Sequence, residues 1–173
     1  MEKKALIIVD MLKDFVDPDG KLYCGETAQA IVPFVREKIE EFHRAGDPVI
    51  FLMDHHAPDD PEFKMFPPHC VVGTSGAEII EALPVAPGDY RVPKTRYSGF
   101  FRTNLEEILQ KKAAKEVHLM GVCTSICVMF TCADLRNRDV DVVVYRKGVA
   151  DFDPEAHSFA LKSMEKVLGA RVV

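Results

Sequence analysis

Uninterrupted apolar runs recur along the chain and end at polar residues. One run covers residues 4–10 and another covers 48–54, and both end on an aspartate. Runs of this length without polar interruption predict strands that are buried on both faces, as in a parallel sheet. Further strands are predicted at 90–94, 117–122, 140–145 and 171–173. The strand at 90–94 is expected at a sheet edge, because Pro93 has no amide N–H to donate.

Segments with helical spacing separate these strands. Apolar residues recur at helical intervals from Ile31 to Phe42, and Gly46 stands where that helix is predicted to end. Helices are also predicted at 76–83, 103–112, about 125–137, and after Asp153-Pro154, which suit an N-cap and a first turn. Residues 55–75 read as an irregular loop rich in proline and histidine. This alternation predicts an α/β fold with a mostly parallel sheet that is covered on both faces.

Length and composition narrow the class of protein. A chain of 173 residues predicts one domain, over 1–173, at roughly 150 residues per domain. The net charge of −5 and the lack of a basic stripe argue against a nucleic-acid partner. No apolar run approaches the ~20 residues that a membrane helix needs. The first apolar run reaches Asp10 too soon for a signal peptide, so a cytoplasmic protein is expected.

The five cysteines raise a question of chemistry. An odd number excludes a complete set of intrachain disulfides, and a cytoplasmic location predicts reduced thiols. The cysteines are therefore either buried apolar side chains or include a nucleophile.

The predicted strand ends bring together a candidate nucleophilic site. In α/β sheets, ligands bind beyond the carboxyl ends of the strands, where Asp10, Lys94 and Cys127 are expected to meet. Cys127 is predicted in the first turn of a helix, where free N–H groups and the helix dipole favour a thiolate. Asp10 could take the thiol proton, and Lys94 could keep Asp10 ionised. Structural alternatives remain open: a packed cysteine, a capping aspartate and a solvated lysine.

A second cluster has the composition of a metal site. Asp54 and His56 lie two residues apart, and Phe66-Pro67-Pro68-His69 supplies another imidazole. A carboxylate and two imidazoles suit Zn²⁺, Mn²⁺ or Fe²⁺. The alternative is that these loop histidines are solvated and bind nothing. Cys70 is either a fourth ligand or, more in keeping with its type, a packed side chain.

Four motifs, in this order, resemble the isochorismatase-like cysteine hydrolases and, among them, the nicotinamidases. The first is the run ending Val9-Asp10-Met11, with Asp14-Phe15 after it. The second joins Asp54-His55-His56 to Phe66-Pro67-Pro68-His69, the third covers residues 94–100, and the fourth covers 121–128. The resemblance extends over nearly the whole chain.

The resemblance implies a fold and a set of site residues. It implies a doubly wound, six-stranded sheet and a catalytic triad of Asp10, Lys94 and Cys127. It also implies a cis peptide between Val122 and Cys123, with the backbone N–H groups of Cys123 and Cys127 as the oxyanion hole. The implied metal, Zn with Mn or Fe as alternatives, is held by Asp54, His56 and His69. A planar ring is expected between Phe15 and Phe66, with Tyr97 as a further substrate contact.

The implied activity is deamidation of nicotinamide, a small-molecule amide, in an enzyme that forms a homo-oligomer. Two residues depart from the usual pattern of the family, since His55 and Phe66 stand where tryptophans are common. These departures motivate an alternative, hydrolysis of a carbamoyl or ureido amide. Isochorismate hydrolysis is less favoured because that reaction does not need a cysteine. A non-catalytic binding or redox-sensing protein is the third alternative.

Overall fold

The computed structural model describes residues 3–173, so Met1 and Glu2 of the predicted domain lie outside the described residues. The strands in this part of the chain are β1 (Lys4–Val9), β2 (Val49–Asp54), β3 (Tyr90–Lys94), β4 (Glu116–Val122), β5 (Asp141–Ala150) and β6 (Arg171–Val172). The α-helices are α1 (Lys13–Val16), α2 (Glu26–Ala30), α3 (Val32–Ala45), α4 (Leu105–Lys112), α5 (Met129–Arg136) and α6 (Pro154–Lys166). Within residues 3–173, no helix has both the length and the apolar character to cross a membrane.

The strands form one sheet in the order β3-β2-β1-β4-β5-β6, and every neighbouring pair is parallel. The predicted doubly wound, six-stranded α/β fold is therefore confirmed, and β3 lies at an edge as Pro93 indicates. The chain adds β2 and β3 on one side of β1 and then β4, β5 and β6 on its other side, so the strand order reverses between β1 and β4. In such sheets the ligand site lies beyond the carboxyl ends of the strands at this point.

Alternate residues of the central strands face two separate cores. Ile7 and Val9 of β1 belong to a cluster with apolar residues of α4, α5 and α6. Leu6 and Ile8 point to the other face, where they join residues of α1, α2 and α3. This period of two, with apolar residues on both faces, explains the unbroken apolar runs in the sequence.

The prediction of a helix over residues 76–83 is wrong. Only Ser75–Ala77 forms a single 3₁₀ turn, and Ile79 then pairs with Leu12 as an isolated antiparallel bridge. The amide of Ile80 donates to the carbonyl of Met11 at 3.1 Å. Ile79 and Ile80 pair with the segment that follows β1 and not with neighbours along a helix, because tertiary contacts outweigh a weak local preference.

Two other boundaries differ from their predictions. Strand β5 continues to Ala150, beyond the predicted end at 145, because its later residues pair with Gly121 and Val122 of β4. Helix α4 begins at Leu105, whose amide donates to the hydroxyl of Thr103 at 3.3 Å.

Candidate active site

Three strand ends place charged side chains side by side. Asp54 and Lys94 are the last residues of β2 and β3 and lie opposite each other in the ladder. Asp10 follows β1 directly and adopts the left-handed conformation, with a φ of 50°. Its Oδ1 accepts a hydrogen bond from the amide of Asp54 at 2.9 Å. The two aspartates that end the apolar runs, Asp10 and Asp54, are thus neighbours at the carboxyl end of the sheet.

Lys94 is the centre of this group. Its Nζ lies 2.8 Å from Oδ2 of Asp10, a close and buried ion pair. The same Nζ donates to Oδ1 of Asp54 and lies 3.4 Å from the sulfur of Cys127. One carboxylate oxygen of Asp10 lies within 4.8 Å of that sulfur. The three residues of the predicted triad therefore come together.

A tight turn after β4 carries Cys127. The amide of Val128 donates to the carbonyl of Cys123, five residues earlier, at 3.2 Å, which is the spacing of a π-type turn. Helix α5 begins directly after this turn. The peptide between Val122 and Cys123 is cis, as the resemblance implies. The Asp151 carboxylate fixes the turn to the end of β5, because it accepts from the amide and hydroxyl of Ser125 at 2.8 and 2.7 Å.

Gly121 allows β4 to approach β1 just before this turn. Its φ is +122°, which side chains rarely permit, and an added Cβ would lie 2.0 Å from the carbonyl oxygen of Val9. The close approach brings the cysteine turn to the strand end that carries Asp10.

Burial controls the protonation of this group. Burial and the charge of Asp54 raise the pKa of Asp10 to about 6, although Lys94 opposes them. Burial raises the pKa of the Cys127 thiol well above its usual value and outweighs the nearby Lys94. Burial therefore opposes the thiolate that the start of a helix favours. Asp10 lies where it can accept the proton of the Cys127 thiol.

The predicted metal ligands also converge. His56 Nε2 lies 3.5 Å from Oδ2 of Asp54, and His69 Nε2 lies 3.7 Å from the same oxygen. Glu62, which sequence reasoning missed, places Oε1 4.0 Å from His56 Nε2. One ligand atom of each of these four residues lies within 4.8 Å of the others. We refer to Asp54, His56, Glu62 and His69 as the metal cluster.

The metal cluster has the polar atoms that a divalent cation requires. His56 Nε2 and Glu62 Oε2 are buried and have no hydrogen-bond partner. His69 Nδ1 lies 2.8 Å from the carbonyl of Pro67, which fixes the tautomer that leaves Nε2 bare. Burial and the charge of Asp54 raise the pKa of Glu62, as expected where two carboxylates face each other. These residues therefore fit a divalent metal.

Two further cysteine and carboxylate arrangements do not suggest a metal. Cys70 is buried with its sulfur 3.7 Å from the carbonyl of Gly76, so it packs rather than joining the metal cluster. Asp10, Asp54 and Cys127 also lie within 4.8 Å of one another, but the ammonium of Lys94 already contacts all three. Lys94 therefore already supplies the positive charge that a metal ion would bring to these three residues.

A cleft beside the sulfur of Cys127 is also lined by Asp54, Glu62 and His69 of the metal cluster. All three predicted substrate contacts, Phe15, Phe66 and Tyr97, line it. Its wall also includes Leu22, Ile126 and Phe152, which sequence reasoning missed. Phe152 lies two residues after the end of β5, so the strand-end rule that identified Asp10 would have indicated it. Leu22 lies in an irregular segment and gives no comparable signal.

The remaining cysteines are buried free thiols, in agreement with the packing interpretation. Cys24 is also close to the cleft, since its sulfur lies 3.2 Å from that of Cys123.

Comparison with known proteins agrees with this geometry. Residues 4–173 match the isochorismatase domain. The chain is 41% identical to the isochorismatase family protein PncA of Bacillus subtilis, over 98% of both chains. The crystal structure of nicotinamidase PncA from Bacillus subtilis superposes with a TM-score of 0.94, at 38% identity and over 99% of both chains.

Two further solved structures are similar. Pyrazinamidase of Pyrococcus horikoshii in complex with zinc gives a TM-score of 0.92 at 32% identity, over 99% of this chain and 98% of that one. N-carbamoylsarcosine amidase of Thermoplasma acidophilum gives 0.89 at 37% identity, over 98% and 95% of the two chains. The fold, the convergence of the strand ends and these matches lead to one conclusion: the chain belongs to the isochorismatase family and is a nicotinamidase-like hydrolase within it.

Proposed function

We propose that this protein is a metal-dependent nicotinamidase that converts nicotinamide to nicotinate and ammonia. The observation that carries the proposal is the position of the Cys127 sulfur. It lies 3.4 Å from Lys94 Nζ and within 4.8 Å of an Asp10 oxygen, in the wall of an aromatic cleft that Asp54, Glu62 and His69 also line. A small planar amide held in this cleft would have its carboxamide at the sulfur.

The first half of the reaction transfers the acyl group to sulfur. Asp10 removes the thiol proton as the Cys127 sulfur attacks the carboxamide carbon. The negative charge on the carboxamide oxygen is taken by the backbone N–H groups of Cys123 and Cys127. The C–N bond then breaks, Asp10 returns the proton to the leaving ammonia, and a thioester remains on the sulfur.

The second half releases the acid. Asp10 takes a proton from a water molecule, which attacks the thioester carbon, and the C–S bond breaks. The proton returns to the sulfur and nicotinate leaves. Lys94 stays charged throughout, because the adjacent Asp10 and Asp54 outweigh the effect of burial and raise its pKa. Its ammonium balances the two carboxylates and the developing charge at the sulfur.

The metal cluster orients the substrate in this proposal. Asp54, His56 and His69, with Glu62 beside them, would hold Zn²⁺, or Mn²⁺ or Fe²⁺. When bound, the metal supplies a Lewis acid for the pyridine nitrogen. Phe15, Phe66 and Tyr97 line the same cleft as the sulfur and the metal cluster and would contact the ring. The zinc-bound pyrazinamidase of Pyrococcus horikoshii supports zinc as the first metal to test.

The test is ammonia release from nicotinamide by the purified metal-loaded protein, compared with Cys127→Ala and with Cys132→Ala. Cys132 is a buried thiol of α5 and serves as the matched control. We expect Cys127→Ala to lose at least about 10³-fold in kcat, and Cys132→Ala to retain most activity. A Cys127→Ala protein that keeps full activity contradicts the mechanism. Turnover and nicotinamide binding that are unchanged after chelation contradict the role of the metal.

A second candidate is hydrolysis of a carbamoyl or ureido amide. His55 and Phe66 depart from the nicotinamidase pattern, and the fold is also similar to N-carbamoylsarcosine amidase. A panel of nicotinamide, pyrazinamide and N-carbamoyl amino acids decides between the two. A larger kcat/KM for an N-carbamoyl compound than for nicotinamide would favour this candidate.

A non-catalytic redox-sensing protein is the third candidate, and the adjacent sulfurs of Cys24 and Cys123 favour it. It predicts no turnover of any compound in the panel. Alkylation of Cys127 by iodoacetamide at neutral pH that is as slow as for an ordinary thiol would favour it as well. We also propose, from the resemblance to the family, that the protein is cytoplasmic and forms a homo-oligomer.

A further inference from the structure

Asp60 links two members of the metal cluster to each other, although it is not itself among the four converging residues. Its Oδ2 lies 3.1 Å from Nδ1 of His56, and its Oδ1 accepts the amide of Glu62 at 2.9 Å. The Asp60 side chain is only 7% exposed and the His56 ring is fully buried. Both contacts are therefore sheltered from competing water.

The contact to His56 determines which ring nitrogen faces the cluster. A carboxylate accepts a hydrogen bond from Nδ1–H, so the neutral ring keeps its lone pair on Nε2. His56 Nε2 is the buried nitrogen without a partner, and it faces Asp54 and Glu62. The other imidazole of the cluster, His69, is held instead by the backbone carbonyl of Pro67. Only the His56 support can therefore be removed by a side-chain substitution.

The contact to Glu62 positions the second ligand. Asp60 precedes the 3₁₀ turn Pro61–Lys64, and its carboxylate accepts the amide of Glu62 at the start of that turn. The Asp60 carboxylate thus orients both the imidazole of His56 and the turn that carries Glu62. The Glu62 side chain is 5% exposed, and its Oε1 lies 4.0 Å from Nε2 of His56.

Arg96 balances the charge of Asp60 from the opposite side. Its Nη1 lies 3.1 Å from both oxygens of Asp60. Asp54, Asp60 and Glu62 are three carboxylates near a site that takes one divalent cation, so an added positive charge lowers their mutual repulsion. The backbone carbonyl of Arg96 also accepts from Lys94 Nζ at 3.2 Å, which connects the pair to the triad.

We propose that Asp60 and Arg96 form an outer-shell pair that holds His56 and Glu62 in position to bind a divalent metal. The pair sets the affinity of the site for the metal, and neither residue contacts substrate. This inference rests on the metal site of the proposed function. The chemical class of ligand is a borderline divalent cation that accepts imidazole and carboxylate donors, with Zn²⁺ as the probe.

The experiment measures the zinc dissociation constant of the metal-free protein by competition with a chromophoric chelator. The variants are Asp60→Ala, Asp60→Asn, Arg96→Ala and Arg96→Lys, with Asp59→Ala as the control because Asp59 is an exposed neighbour. We expect Asp60→Ala to weaken zinc binding about 10- to 100-fold. Asp60→Asn should recover part of the loss, because one amide oxygen can replace one of the two accepted hydrogen bonds. Asp59→Ala should bind as the wild type does.

Two readouts separate positioning from a general loss of structure. Arg96 is 38% exposed, so Arg96→Ala should fold, bind zinc more weakly, and be partly rescued by Arg96→Lys. The visible absorption bands of the Co²⁺-loaded protein should shift in Asp60→Ala and stay unchanged in Asp59→Ala, since they report ligand geometry. Melting temperatures of the metal-free proteins verify folding.

The outcomes distinguish this inference from the proposed function. If the wild type binds one zinc, Asp54→Ala abolishes binding, and both Asp60→Ala and Arg96→Ala bind within twofold of wild type, only the outer-shell pair is overturned. If the wild type binds no zinc, both the pair and the metal role in the proposed function are overturned. The nucleophilic role of Cys127 is judged separately, by the activity of Cys127→Ala.

Discussion

The ammonium of Lys94 lies between two carboxylates and a thiol, 2.8 Å from Asp10 and 3.4 Å from the sulfur of Cys127. Lys94 is fully buried, so bulk solvent does not screen its charge. We therefore expect the same residue to matter for both folding and the proposed chemistry.

Replacing Lys94 with methionine should destabilise the protein by about 3–5 kcal/mol, because Asp10 and Asp54 then remain buried without a cation. The free energy of unfolding in urea measures this loss, and ammonia release should fall with it. The matched control is Lys64→Met, at an exposed lysine, which should change stability by less than about 0.5 kcal/mol. A Lys94→Met protein as stable as the wild type would contradict the arrangement.

The two adjacent histidines of the loop should respond differently to metal. His56 points a bare nitrogen into the metal cluster, whereas the cluster does not include His55. Zinc at 100 times its dissociation constant should stabilise the wild type by about 2.7 kcal/mol, seen as a rise in melting temperature. His55→Ala should keep this rise and His56→Ala should lose most of it. Equal rises in the two variants would show that His56 is not a ligand.

Gly121 and Gly46 offer a matched pair of glycines at positive φ. A Cβ on Gly121 would lie 2.0 Å from the Val9 carbonyl, while a Cβ on Gly46 would meet nothing within 4 Å. Gly46→Ala should therefore cost about 1 kcal/mol from backbone conformation alone. Gly121→Ala should cost at least about 3 kcal/mol, since β4 must also move away from β1. Similar urea midpoints for the two variants would refute this account.

His118 should contribute a loss of stability as the pH drops below about 6.5. Burial lowers the pKa of this histidine, even though Glu116 is 2.8 Å from its ring. Lys4 and Arg171 oppose its protonation, and the hydroxyl of Tyr145, 2.7 Å from Nδ1, suits the neutral ring. The unfolded chain therefore takes up a proton at higher pH than the native protein does, and stability is lost as pH falls through 6.5.

Urea unfolding of the wild type and of His118→Gln at several pH values isolates this contribution. The wild type should lose more stability than the variant between pH 7 and the lower pKa of the native ring, by at most about 1.4 kcal/mol per pH unit. Parallel curves would exclude His118 as the source. Asp10 acts in the opposite direction, because its raised pKa favours the native state at low pH, and it is present in both proteins.

Sequence reasoning was most successful where one strong physical rule applied. Buried parallel strands need apolar residues on both faces, so the runs before Asp10 and Asp54 were visible without a structure. Once the strands were assigned, the strand-end rule was enough to bring Asp10, Lys94 and Cys127 together.

Features that depend on neighbours distant in sequence were not predictable in this way. Residues 76–83 have a helical pattern, but bonds to Met11 and Leu12 decide their conformation. The raised pKa of Cys127 follows from the depth of its burial, which its position at the start of a helix does not reveal. Glu62 lies among other carboxylates in an irregular loop, and only the turn capped by Asp60 directs it toward His56.

The order of the strands has a consequence for how activity reports on folding. Asp10, Asp54, Lys94 and Cys127 are separated along the chain by 44, 40 and 33 residues, respectively, and meet only because β3, β2, β1 and β4 are neighbours. No contiguous fragment of the chain shorter than this span contains the proposed nucleophile, its proposed base and the adjacent candidate metal ligand. Loss of amidase activity in denaturant should therefore coincide with cooperative opening of the sheet, which makes catalysis a direct assay of the integrity of its centre.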